Sequence, residues 1–219
     1  MLQRVLTFIL SVLKKPEKQE KEVSPLPILT ASVSEQVIPS LPPEPEKQLL
    51  DPDAESKLAK LYPPFADAVR ELVLQARAKG MPVSIFQGLR TFGQQLELYK
   101  KGRDANFKVI DKKQVVTNAP PGMSMHNYGL AVDLVFDGDE VRPGYQWSWA
   151  NKHPWKQLAL LGKGCGLEPA FFWKTFPESP HFEKSYGMTY RELHSVYSEG
   201  GTELVWSVLD VKKKGATVA

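Results

Sequence analysis

The sequence predicts an α+β domain: a small, mostly antiparallel sheet flanked by helices and preceded by a disordered N-terminal tail. Three observations carry this. Apolar residues recur at helical spacing before residue 80 and again after residue 189. Between them lie short runs rich in apolar and β-branched residues. Few helical crossovers separate the later runs, so their strands pair as antiparallel neighbours rather than through βαβ units.

The elements follow in order. Residues 54–61 read as helix, broken or restarted at Pro63-Pro64. Phe65, Ala68, Val69, Leu72, Val73 and Ala76 then form an apolar stripe of period 3.6, stopped by Gly80. Residues 82–86 read as a strand. Thr91 followed by Gln94 is a capping box that opens a helix running to about Lys101. Residues 107–116 are a hairpin candidate around Asp111-Lys112-Lys113. A strand over 130–136 leads to a turn at Asp137-Gly138-Asp139. Residues 154–161 read as a helix closed by Gly162, and short strands follow around 167–172 and 181–183. Thr189-x-x-Glu192 caps another helix, and residues 202–211 make a last one with Leu204, Val205 and Val208 inward. No internal repeat is present.

The chemistry concentrates in two segments. In Leu130-Ala131-Val132-Asp133-Leu134-Val135-Phe136, period two puts Ala131, Asp133 and Val135 on one face. Asp133 therefore stands in mid-strand among apolar neighbours, and an unpaired buried carboxylate is costly. A divalent cation is one solution; an Arg or Lys from elsewhere is another. His126 lies on the turn into this strand, and Gly129 permits the chain to fold back so that both residues aim at one point. The second segment, Glu178-Ser179-Pro180-His181-Phe182-Glu183, adds an imidazole and a carboxylate three residues before it.

Taken singly, each group has an ordinary explanation: a salt-bridged Asp, a polar core His, a solvated loop Glu. Together they are the parts of a catalytic zinc site, with three N/O ligands, an open position for water and a general base outside the ligand set. His153, before Pro154 at a helix start, and His194, in an amphipathic helix, read as bystanders.

Composition sets limits. The 219 residues are 42% hydrophobic, enough for one substantial domain with a tail. The net charge of +3 suits an anionic polymer without demanding one. The domain carries no basic run with interleaved aromatics, which argues against nucleic acid as a partner. A single cysteine, Cys165, excludes an internal disulfide and a cysteine zinc finger, and reads as a small buried residue rather than a nucleophile.

Four regions are expected. Residues 1–16 hold a short apolar run, Val5 to Leu13, flanked by Arg4 and Lys14-Lys15. That run is too short for an ordinary span of about 20 residues. It has the length of a signal-peptide core but lacks a nearby small-x-small site, leaving an export signal, an uncleaved anchor or a surface-lying amphipathic helix, with export or anchoring preferred. Residues 17–52 are a Pro- and charge-rich linker, 53–211 the catalytic domain, and 212–219 a basic flexible tail.

The motif Ser124-x-His126-x-x-Gly129-x-Ala131-x-Asp133, followed by Glu178-x-Pro180-His181-Phe182-Glu183, resembles the M15-type zinc peptidases that cleave peptidoglycan. Gly88-Leu89-Arg90-Thr91, with Gln94, Gln95, Leu98, Tyr99 and Gly102-Arg103, is similar to that family's upstream segment, and the likeness covers about residues 58–209. The resemblance implies a Hedgehog/DD-peptidase-like fold and one zinc ion on His126, Asp133 and His181. It further implies Glu178 as general base, Arg90 beside the scissile carbonyl or a substrate carboxylate, and Ser124 lining the substrate cleft. For Arg90 the plainer alternative is a surface residue ahead of a helix. Glu168 to Trp173 departs from the family's Gly- and Trp-rich pattern.

The implied partner is the peptidoglycan stem peptide, and the implied state a monomer located in the cell envelope, periplasmic or membrane-tethered through the N-terminal segment. Retention in the cytoplasm until release, as for a phage endolysin, is the alternative. Tyr186-Gly187, Gly200-Gly201 and Trp206 favour the endolysin branch, an L-alanyl-D-glutamate endopeptidase. A D,D- or L,D-carboxypeptidase, or a wall-binding module without turnover, are the competing readings.

Overall fold

In a computed structural model the chain is described over residues 49–137 and 147–217, with side chains to residue 213. The expected apolar segment 1–16, most of the linker 17–52 and the turn at Gly138-Asp139 lie outside the described residues.

Two helices open the domain. Asp51 caps α1 (Pro52–Leu58), its carboxylate accepting from the Ala54 N–H at 3.0 Å, so the helix starts two residues earlier than the sequence indicated. α2 (Pro63–Ala78) begins on the proline pair, which suits a first helical turn where N–H groups have no partner. Phe65, Val69, Leu72, Val73 and Ala76 are fully buried as expected; Ala66 joins them in place of Ala68, which is half-buried. The stripe packs against β1 (Val83–Gln87) and against α4 (Trp155–Gly164). α3 (Phe92–Lys100) carries the complete Thr91/Gln94 capping box.

The sheet is antiparallel at every pairing among the described residues. Its order is β1, β2 (Ala131–Asp137), β5 (His181–Glu183), β4 (Glu168–Pro169), and β3 (Trp147–Ser148) also pairs with the end of β2. One irregularity matters. Ile85 pairs with Leu134 and Gln87 with Asp133, so Phe86 is an extra residue in β1, a β-bulge. The bulge turns Gln87 toward the Asp133 face and leaves Phe86 exposed.

α5 (Tyr190–Thr217) joins the two expected helices across a kink at Gly200 and Gly201. Gly201, at φ 68 and ψ −162, occupies a region open essentially to glycine alone. Past the kink, Val205, Val208 and Leu209 are buried and Leu204 half-buried. The Trp206 indole donates to the Tyr128 carbonyl at 2.9 Å, tying this helix to the turn that bears His126.

Four expectations are corrected. Residues 107–116 form no strand pair beyond a single Arg103–Val109 bridge. The Asp104 carboxylate accepts from the Asn106 and Lys108 N–H groups, and that of Asp111 from Lys113, so the backbone is satisfied locally instead of by a ladder. Gly162 does not end its helix; it lies inside α4, where an added Cβ would sit 2.5 Å from Phe182 Cε1. Residues 167–172 give only the two-residue β4 before a 3-10 turn at Ala170–Phe172. The expected tail from 212 begins as helix, which runs to Thr217, with the Lys212 ammonium donating to the Gly187 carbonyl; cations suit that end of a helix.

Candidate metal centre

Asp133 and His181 are direct cross-strand partners between β2 and β5, so their side chains rise from the same face of the sheet. His126 sits in a 3-10 turn (Met125–Tyr128) that Gly129 ends in the left-handed conformation, φ 70. A side chain there would crowd Trp206 and the Lys60 carbonyl. The turn brings His126 over the strand that follows it. His126 Nε2 stands 3.3 Å from Asp133 Oδ2, and His181 Nδ1 stands 3.1 Å from Asp133 Oδ1.

These residues fit a metal ion. One candidate ligand atom from each lies within 4.8 Å of the others. Bonds of about 2.05 Å in a tetrahedral zinc site place neighbouring ligand atoms about 3.3 Å apart, close to the separation of each imidazole from the nearer of the two Asp133 oxygens. His126 Nδ1 donates to the Gly88 carbonyl at 2.7 Å, so the proton of the neutral ring sits on Nδ1 and Nε2 is bare. That Nε2 is the one buried side-chain polar atom among the described residues without a hydrogen-bond partner, as expected of a ligand atom. Burial lowers the His126 pKa and keeps the ring neutral, ready to bind.

Asp133 has the arginine partner that its burial called for, and it stands beside the two imidazoles with which it could share a cation. Arg90 Nη2 donates to Asp133 Oδ2 at 3.3 Å, alongside the two histidines. Burial alone would raise the Asp133 pKa, but the two imidazoles outweigh it and hold the carboxyl well below the usual range. His181 is drawn the opposite way: burial would lower it, yet its bonds to Asp133 and Glu183 raise it to about 10 while no ion is bound.

Arg90 is not the surface residue of the plainer reading; it is 7% exposed. Nε and Nη2 donate to Gln87 Oε1 at 3.2 and 2.7 Å, and Nη1 to Gln95 Oε1 at 2.8 Å. With the Asp133 bond, four of the five guanidinium N–H groups are engaged. Arg90 lines a cleft shared with Ser124, Glu178, Trp173 and Tyr190, with one Nη1–H left without a partner.

Glu178 lines that cleft on the loop into β5, its N–H bonded to the Ala170 carbonyl at 3.2 Å. Burial, with the Asp133 charge adding, raises its carboxyl pKa above the usual value, while His181 and Arg90 pull it down. A raised carboxylate is the stronger base, the tuning expected at a proton-transfer position. Ser124 is buried and lines the cleft wall. His153 stacks on Phe136 and contacts Ser148, and His194 packs on Phe92; neither lines the cleft. Burial raises the Cys165 thiol pKa, which disfavours a nucleophile.

Sequence reasoning gave no role to Gln87, Gln95, Asn127, Trp173, Glu183 or Tyr190. Gln95 is fully buried, gripping Arg90 and donating to the Ala119 carbonyl. The Asn127 amide donates to the Arg90 carbonyl and accepts from the Gly122 N–H. Trp173 leans on His181, ring centres 5.5 Å apart. The one available signal was Glu183, an acid alternating with His181 in a strand as Asp133 does in its own.

A carboxylate and an imidazole on paired strands, a second imidazole on the adjoining turn and a separate basic carboxylate on a loop, all over one cleft, define a mononuclear metallohydrolase type of centre. Residues 58–197 match the VanY family, D-alanyl-D-alanine carboxypeptidase, and the chain belongs to that family, in keeping with the M15-type motifs. It is 34% identical over 142 residues to the peptidoglycan L-alanyl-D-glutamate endopeptidase CwlK of Bacillus subtilis (strain 168), across 63% of this chain and 80% of that protein. The L-Ala D-Glu endopeptidase ChiX of Serratia marcescens is a solved structure with 23% identity and a TM-score of 0.43, covering 66% of this chain and 95% of that one. A variant of the vancomycin-resistance D,D-pentapeptidase VanY, from a VanB-type cassette and solved with Zn(II), gives 22% identity and a TM-score of 0.43, covering 66% and 81%.

Proposed function

We propose that this protein is a zinc peptidase that cuts the stem peptide of peptidoglycan, as an L-alanyl-D-glutamate endopeptidase. The observation that carries the reading is the bare, buried Nε2 of His126 beside Asp133 and His181, on a cleft that also holds Glu178. When bound to three protein ligands, zinc supplies a water acidified to about pKa 7 and a Lewis acid for the carbonyl.

The chain's own residues do the rest. Glu178 takes the proton as the carbonyl is attacked and returns it to the leaving amine. Pro180 stiffens the link from Glu178 to His181, and its carbonyl is bonded to the Leu134 N–H at 2.9 Å, which anchors the link to β2. Arg90 keeps its charge at any relevant pH and faces the negative charge that develops on the carbonyl oxygen.

Endopeptidase action is supported by the 34% identity to CwlK. It is supported also by the engagement of Arg90. No lysine and no second arginine lines the cleft among the described residues, so a terminal carboxylate meets one spare guanidinium N–H. The family match favours the second reading, a D,D-carboxypeptidase.

Digestion of purified muropeptides separates the two. The endopeptidase exposes a new N-terminal D-glutamate, whereas a carboxypeptidase releases a terminal D-amino acid. Elemental analysis of the same preparation checks for one zinc per chain, and its absence overturns the reading. We further place the protein at the cell envelope, exported or tethered through residues 1–16 and working as a monomer. No helix among the described residues is long and apolar enough to cross a membrane. Fractionation of cells and sedimentation of the full chain test location and monomeric state.

A further inference from the structure

Glu183 is a buried acid to which none of the chemistry above assigns a task. It lies two residues beyond His181 on β5 and therefore on the same face, with Phe182 directed into the core between them. It is 6% exposed, on a strand buried at all three positions. Such a carboxylate requires a partner. Its Oε2 lies 2.9 Å from His181 Nε2, and the Tyr190 hydroxyl donates to its Oε1 at 3.4 Å. It is not in the set of side chains whose donor atoms converge, which is limited to His126, Asp133 and His181.

We propose that Glu183 is a positioning residue of the metal centre. It accepts the Nε2–H of His181 and so holds that ring with Nδ1 turned toward Asp133 and His126, as the nitrogen left for the metal. Tyr190 steadies Glu183 from the other side. The inference rests on the zinc-peptidase reading.

The two histidines show why a dedicated partner is needed. His126 gives its Nδ1–H to the Gly88 carbonyl and offers Nε2. His181 has the reverse demand, because Nδ1 is the nitrogen 3.1 Å from Asp133. The remaining nitrogen must then carry the proton, and in a buried strand that N–H needs an acceptor. A backbone carbonyl serves His126. For His181 the acceptor is a carboxylate, which also raises the basicity of the ring as a ligand. Removal of such an outer partner typically lowers metal affinity about 10- to 100-fold.

The test uses the full chain and measures zinc dissociation constants by competition with a chromogenic chelator. Wild type is compared with Glu183→Ala, Glu183→Gln and Tyr190→Phe, and circular dichroism of each metal-free protein monitors folding. Glu183→Ala is expected to weaken zinc binding about 10- to 100-fold. Glu183→Gln should recover part of that loss, because its amide oxygen accepts the same N–H. Tyr190→Phe should give a smaller loss. Should Glu183→Ala fail to fold, the Gln and Phe variants carry the comparison. Zinc affinity unchanged in every folded variant, with wild type still binding zinc, overturns the positioning role alone. Full affinity with lost activity also overturns it and makes Glu183 a proton-transfer group. A wild-type chain that binds no zinc overturns the peptidase reading and this inference with it.

Discussion

Asp133 and His181 face each other across the β2–β5 pairing with Oδ1 and Nδ1 3.1 Å apart, although 48 residues separate them in the chain. A one-residue slip of β5 would turn His181 into the core and Phe182 into the cleft. The metal centre is therefore as secure as the register of a three-residue strand, and several consequences can be measured.

Glu178→Gln keeps the shape of the side chain and removes the base. Zinc content should remain at the wild-type level while kcat falls about 10²- to 10⁴-fold. Turnover of muropeptides at an undiminished rate would assign the proton transfer elsewhere.

Arg90→Lys retains a positive charge but not the planar fork that grips Gln87, Gln95 and Asp133 together. Loss of one stabiliser of developing charge costs about 3 kcal/mol of barrier, or about 10²-fold in kcat. A lysine variant within threefold of wild type in kcat would show that charge alone suffices.

The metal-free protein should be less stable in alkali. The folded His181 pKa is raised to about 10 from an ordinary 6.5. A raised pKa contributes stability fully present below pH 6.5 and lost as pH rises through 10. The Asp133 carboxyl is depressed, so its contribution is present above its ordinary value of 3.8 and fades as pH falls below that. The melting temperature after chelation should thus peak at mildly acidic pH and decline from pH 6.5 toward 10. Zinc binding near neutral pH should release protons, measurable by calorimetry in two buffers, since His181 must give up its Nδ1 proton.

Gly162→Ala tests how the core supports the site. Alanine favours a helix interior by about 1 kcal/mol over glycine. Here, however, its Cβ would meet the Phe182 ring at 2.5 Å. Overpacking costs about 1–3 kcal/mol, so net destabilisation in urea is expected. Because Phe182 lies between His181 and Glu183, zinc affinity should fall as well.

Much of the site was legible because its signals are local. Asp133 stood out as a carboxylate at an inward position of an apolar strand, and a cost attaches to that wherever the strand is placed. Thr91 and Gln94 announced their helix because a capping box spans only four residues. Gly162 was misjudged because its role depends on Phe182, twenty positions away in another element. The stretch 107–116 was misread because Asp104 and Asp111 satisfy backbone groups that a hairpin ladder would otherwise use.

Taken by itself, the chain determined which side chains could bind and which could carry protons, since donor chemistry and period-two facing are properties of short segments. Only the tertiary structure decided which nitrogen of each histidine faces Asp133, that Arg90 pairs with Asp133 inside a cage of glutamines, and that Glu183 lies against His181. Those outcomes depend on the β1 bulge and on the register between distant strands, where a shift of one residue reverses every side chain.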